Sequence, residues 1–141
     1  MLNSKSFNSV LNDLENHDGE FITALDKFIK FAVSKFTSTE ELREEIADYN
    51  DIYQIIITDI DFNFWLNVSN DAIVYKEGIN RNAPFRIQYT KDIVVKILKR
   101  EMYGTDAYMK GIIKADGDLS QGLRFIKLFR IFIEYLNNGF K

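Results

Sequence analysis

The chain has 141 residues, 46% of them hydrophobic and 28% charged, with a net charge of -3. That length supports one domain with a packed core, and the weakly acidic balance excludes a general binder of nucleic-acid phosphates. With no cysteine and a single histidine, disulfides, thiolate nucleophiles and zinc-thiolate sites are excluded too, which suits a reducing, cytoplasmic setting.

In chain order, residues 1–20 carry no apolar signal-like core, and no stretch approaches the roughly 18 consecutive apolar residues of a membrane span. A soluble protein is expected. Ser6 to Leu14 reads as a short helix, and Asp18 offers a cap to a second whose apolar positions, Phe21, Leu25, Phe28, Ile29 and Phe36 among them, recur with a period of about 3.6. Ser38 and Glu41 form the pattern of a capping box, which predicts a third helix over Thr39 to Tyr49.

At Ile52 the period changes to two. Ile52 to Thr58 and Phe62 to Ser69 read as strands, the second alternating Phe62, Phe64, Leu66 and Val68 with Asn63, Trp65, Asn67 and Ser69. Asn70-Asp71 is a hairpin turn into a third strand, Ala72 to Lys76, and a polar loop over Gly78 to Ala83 leads to a fourth, Phe85 to Tyr89. Connections too short for a crossover helix predict antiparallel strands. Thr90 caps a helix over Lys91 to Glu101, Gly104 ends it, Thr105 caps a short turn closed at Gly111, and Ile112 to Ala115 is a fifth strand. Gly117 then turns the chain and Asp118 caps a long final helix. The order predicts an α+β fold, a five-stranded, mainly antiparallel sheet covered by helices, in one domain over residues 1–141, with N-terminal helices over 1–50 and the sheet and C-terminal helices over 52–136.

Catalytic chemistry is thin. His17 lies in a polar turn, Asp59 and Asp61 read as a charged turn, and Asp116-Gly117-Asp118 lacks the further ligands of a calcium loop. No metal site, no cofactor and no enzyme is expected. Lys76, Arg81 and Arg86 flank the Gly78 to Pro84 loop, where they are candidates to meet a phosphate or carboxylate head group.

The strongest signal is surplus apolar surface on the last helix. At about 100° per residue, Arg124, Lys127, Arg130 and Glu134 share an arc of about 120°, the expected wet side, and large apolar side chains cover most of the remainder. Such a face is satisfied by further core, by another subunit, or by an apolar ligand held between helices and sheet.

Ala107, Met109, Gly111, Lys114, Gly117 and Asp118, followed by Leu119 to Leu136, resemble the C-terminal signature of the sterol carrier protein 2 family: a small-residue helix, a glycine, a strand ending in Gly-Asp, then a long apolar helix. Phe64-Trp65-Leu66-Asn67-Val68 resembles the family's central strand, Ala72 to Lys76 its hairpin partner, and Phe85 to Leu98 its strand-then-helix unit. The resemblance implies an apolar tunnel between sheet and helices that holds a fatty acid, acyl-CoA, sterol, isoprenoid or phospholipid, in a carrier and not a catalyst. It implies lining positions at Phe64 and Leu66, at Met102 and Met109, and on the last helix at Phe125, Phe129, Phe132, Ile133 and Leu136. Transient contact with a membrane surface goes with that reading. The other reading is an interaction or assembly domain whose apolar helix face docks a second copy or another chain.

Overall fold

The computed structural model describes residues 21–137. The expected first helix, the Asp18 cap and His17 lie outside the described residues. Helix α1 spans Phe21–Ser38, α2 Glu40–Glu45, and strands β1 Asn50–Ile57, β2 Phe62–Ser69, β3 Ala72–Glu77 and β4 Phe85–Tyr89 follow. Helices α3, Lys91–Leu98, and α4, Gly104–Met109, precede β5, Lys114–Gly117, and the long α5, Leu119–Asn137.

The five strands form one sheet in the order β3-β2-β1-β4-β5. Three neighbouring pairs are antiparallel and one, β1 with β4, is parallel, Tyr53 opposite Phe85 and Ile57 opposite Tyr89. The mainly antiparallel sheet is therefore as expected, with β1–β4 its parallel pair. Short connections constrain consecutive strands, whereas β1 and β4 are joined through the whole β2–β3 hairpin, which sits on one side of β1 while the chain returns to the other.

That return crosses the outer face of the sheet. The Gln54 side chain, on that face yet buried, donates to the Phe64 and Gly78 carbonyls at 3.0 and 3.1 Å and accepts from the Asn80 amide at 2.6 Å, so it pins the crossing loop. Trp65, half-buried opposite Gln54 and Lys76, lies on the same outer face. On the inner face Tyr53, Ile55, Ile57, Phe64, Phe85 and Ile87 are buried. Helix α1 packs on β3 and α5 on β1 and β4, so the two long helices roof this apolar layer.

Local signals explain most boundaries. Asn70 and Asp71 both have positive φ, 54° and 61°, which matches the hairpin turn. Asp118 caps α5, its Oδ1 accepting from the Ser120 and Gln121 amides at 2.9 and 3.2 Å. Gly117, at φ 103°, lies where a Cβ would run into the Pro84 carbonyl, and a Cβ on Gly122 would stand 2.5 Å from the Phe85 ring.

Elsewhere the caps differ from expectation. Ser38 is not a cap, because the Thr39 amide still bonds the Lys35 carbonyl and α1 runs through Ser38; Thr39 precedes α2 with no side-chain cap. Helix α3 stops at Leu98, where the expected run to Glu101 is broken by Arg100 at φ 63°. Gly104 begins α4 instead of ending its predecessor, with Tyr103 at the cap position in place of Thr105. Strand β5 is shifted to Lys114–Gly117 because the turn through Gly111, at φ 73°, occupies the residues before it.

Candidate functional site

Between the sheet and its helical roof lies an apolar cavity of about 110 Å³. Leu25, Phe28, Ile29 and Phe36 of α1 form one wall, Ile55, Ile57, Phe64 and Leu66 the floor, and Phe125, Leu128, Phe129 and Phe132 of α5 the other wall. These residues are placed here by the two periods of the chain, 3.6 along the helices and two along the strands. Among the described residues no ionisable side chain other than Tyr89 borders the cavity.

A second, half-polar cleft of about 400 Å³ opens beside it. Tyr89, Ile97, Phe125, Phe129 and Ile133 line both spaces, so the apolar cavity and the half-polar cleft adjoin across these side chains. On its wet side the cleft is bordered by Arg100, Thr105, Asp106, Arg130 and Glu134, all exposed. The Tyr89 carbonyl accepts from the Thr58 amide at 2.8 Å, which fixes the strand end, and burial raises the pKa of the Tyr89 hydroxyl, so that group stays protonated.

Phe64 and Leu66 line the first cavity, Phe125, Phe129 and Ile133 both, and Phe132 sits where α1 and α5 meet, its ring 5.9 Å from Phe28, 6.2 Å from Phe31 and 5.7 Å from Phe36. Met102 borders the cleft. Met109 is 81% exposed and borders neither space. Leu136 lies in α5, and its side chain is outside the described residues. The apolar face of α5 is thus absorbed largely within the chain, by α1, the sheet and the two spaces.

The basic candidates lie elsewhere. Lys76 and Arg86 point outward by strand register, opposite Trp65 and Gln54, and Arg81 is exposed in the crossing loop, so the sheet stands between all three and the cavity. Arg86 is engaged by Asp116 at 2.6 Å, and that hydrogen bond raises its pKa. Sequence reasoning missed Tyr89, Arg100 and Asp106 as cleft residues, and placed Arg130 and Glu134 only on a wet side. The one available signal was that Arg130 and Glu134 are four residues apart beside the apolar face.

Carboxylates that suggested chemistry have structural partners. Asp59 accepts from the Lys91 amide at 2.9 Å at the start of α3, and Asp118 caps α5. Among the described residues no group of three His, Cys, Asp or Glu side chains could hold a metal ion. Arg124, expected on the wet side, instead grips the buried Asp51 with two bonds, Nε to Oδ2 at 2.7 Å and Nη2 to Oδ1 at 2.9 Å. Tyr53 donates to the same carboxylate at 2.7 Å, and burial, with that hydrogen bond, pushes the Tyr53 pKa far up.

A mixed sheet roofed by helices around an apolar cavity defines a domain built to enclose something apolar or to close upon itself. The model of the SCP-2 sterol transfer family matches residues 32–130, and the chain belongs to that family. Solved structures share the fold. UbiJ-SCP2, a ubiquinone synthesis protein, superposes with a TM-score of 0.61 at 13% identity, over 79% of this chain and 98% of that one. Sterol carrier protein 2 like 2 of Aedes aegypti does so with a TM-score of 0.56 at 10% identity, over 73% of this chain and 94% of that one. A double mutant of the sec-alkyl sulfatase PisA1 matches with a TM-score of 0.63 at 19% identity, over 73% of this chain but 16% of the sulfatase. At such identities the likeness is one of fold, and the chain spans only a small part of the sulfatase's length. No curated protein sequence matches the chain.

Proposed function

We propose that the chain is a non-enzymatic lipid carrier that holds the apolar part of its ligand in the cavity between α1, α5 and the sheet. The observation that carries this reading is the 110 Å³ cavity with an apolar wall, inside a member of a sterol transfer family. An engineered cavity of about 150 Å³ takes up benzene; the resting space of about 110 Å³ is smaller, so a ligand enters only as the lining side chains move aside. A flexible acyl or isoprenoid chain threads further by rotating Phe and Leu side chains, while a rigid fused-ring sterol requires the roof to lift. Each buried methylene contributes about 0.8 kcal/mol.

Mass spectrometry of a solvent extract from the purified chain, followed by titration with saturated fatty acids of increasing length, tests the reading. A co-purified apolar species is expected, with affinity rising about fourfold per methylene until the cavity is filled. An empty extract and no binding at any chain length overturn it. Loading and delivery proceed through transient contact of a membrane surface with the stretch that begins at Tyr103, on the cleft border and 58% exposed, and continues through exposed Tyr108, Met109, Lys110, Ile112 and Lys114.

A further inference from the structure

We propose that the 400 Å³ cleft is the head-group site of the carried amphiphile and that it selects a zwitterionic head, phosphate and ammonium together. The inference rests on the carrier reading and adds to it a place and a chemistry for the polar end. Phe125, Phe129 and Ile133 line both spaces, so the apolar cavity adjoins the cleft, and a ligand whose chain enters the first past Phe129 presents its head to the second.

The cleft wall carries two guanidiniums, Arg100 and Arg130, and two carboxylates, Asp106 and Glu134, which leaves it neutral but dipolar. Among the described residues no ion pair joins these four to one another or to a third group. Nor does the Tyr89 hydroxyl have a hydrogen-bond partner among the described residues, although burial raises its pKa and keeps it a donor. Guanidinium and phenol donors suit phosphate oxygens, and carboxylates suit an ammonium. A purely anionic head meets the guanidiniums but also both carboxylates. An uncharged head uses neither.

Arg100 is a second, independent sign. Its amide bonds the Ile97 carbonyl and the Glu101 amide bonds the Lys96 carbonyl, which closes α3 with Arg100 in the left-handed region at φ 63°. Glycine favours that position after a helix. An arginine there carries backbone strain and sets a guanidinium on the cleft wall.

The test is calorimetric titration of the full chain with three ligands of one chain length: palmitoyl lysophosphatidylcholine, palmitoyl lysophosphatidic acid and monopalmitoylglycerol. The zwitterion is expected to bind tightest. Arg100→Gly is expected to raise the melting temperature while weakening the zwitterion by up to about fivefold, the ceiling for one exposed ion pair, and leaving monopalmitoylglycerol unchanged. Glu134→Gln is expected to weaken the zwitterion and strengthen the lysophosphatidic acid. Phosphocholine alone is expected not to displace bound lipid, and displacement by it would mark the cleft as a site for a free head compound, against the proposal. Equal affinity for all three heads, tighter binding of the anion, or a preference that both variants retain overturns the head-group site and leaves the carrier standing. Failure of all three lipids to bind overturns the carrier reading and this inference with it.

Discussion

Asp51 is 2% exposed and would be an expensive charge to bury alone, but Arg124 reaches it from α5 with two bonds and Tyr53 adds a third. The two partners are not equivalent. Arg124 keeps access to water and survives the loss of Asp51, whereas Asp51 has no such route. Arg124→Leu is therefore expected to cost about 3 kcal/mol in chemical denaturation, the lower range for orphaning a buried charge, and Asp51→Asn distinctly less because the amide still accepts from Tyr53. Equal losses would mean the pair acts only through packing. At Asp26 burial pushes the carboxyl pKa up, but the hydrogen bond from Tyr75 at 2.7 Å and the contact with Lys30 at 2.9 Å outweigh it, and the net shift is down. A carboxylate lowered in the folded state contributes stability above its unfolded pKa and loses it as pH falls through the folded one. Tyr75→Phe should move the Asp26 midpoint upward in a carbon-detected NMR titration and shift acid unfolding to higher pH; an unmoved midpoint would show that Lys30 alone holds it. These pairings were hidden in the sequence because Asp51 and Arg124 lie on β1 and α5, and no local period links them. Asp118 was legible, since a cap acts within three residues of itself.

Among the elements, the same contrast between local and distant governs what could be read. Helix and strand identities followed from periods of 3.6 and two, and the Asn70-Asp71 turn from its tolerance of positive φ. The Ser38 cap misled because one residue more of α1 turns a cap into a helix interior, and the parallel β1–β4 pair depends on which side of β1 the returning chain takes. The apolar lining on α5 was legible as surplus surface, but the border it forms between cavity and cleft was not, since that requires Tyr89 and Ile97 to arrive from β4 and α3. Half-buried Phe129, like Tyr89, has no partner among the aromatic contacts described, whereas Phe132 meets three rings. Phe129→Ala should therefore join cavity and cleft, speeding association of long-chain fatty acids in stopped-flow fluorescence while costing less stability than Phe132→Ala, which removes the ring tying α1 to α5 and is expected to cost about 3–5 kcal/mol. Slower uptake in Phe129→Ala would mean that the ring forms part of the binding wall and does not block entry.

For the molecule as a carrier, affinity and delivery are separate quantities set at separate places. On the proposed reading, affinity comes from area buried between sheet and roof, whereas delivery requires the cleft mouth to reach a membrane. No helix among the described residues is long and apolar enough to cross one. The stretch from Tyr103 to Lys114 holds exposed Tyr103, Tyr108, Met109 and Ile112 together with Lys110 and Lys114, and its first residue borders the cleft. Tyrosine and lysine suit the head-group layer, and Met109 supplies a flexible apolar contact. Because Met109 touches neither cavity nor cleft, Met109→Asp changes the surface presented to lipid and leaves the binding wall intact. In a fluorescence-transfer assay with vesicles containing phosphatidylserine, that variant should keep the wild-type dissociation constant for a fluorescent fatty acid yet transfer it several-fold more slowly, with the difference shrinking at high salt as lysine contacts are screened. Transfer at the wild-type rate would place the delivery surface elsewhere, and a changed dissociation constant would mean that Met109 reports on the cavity after all.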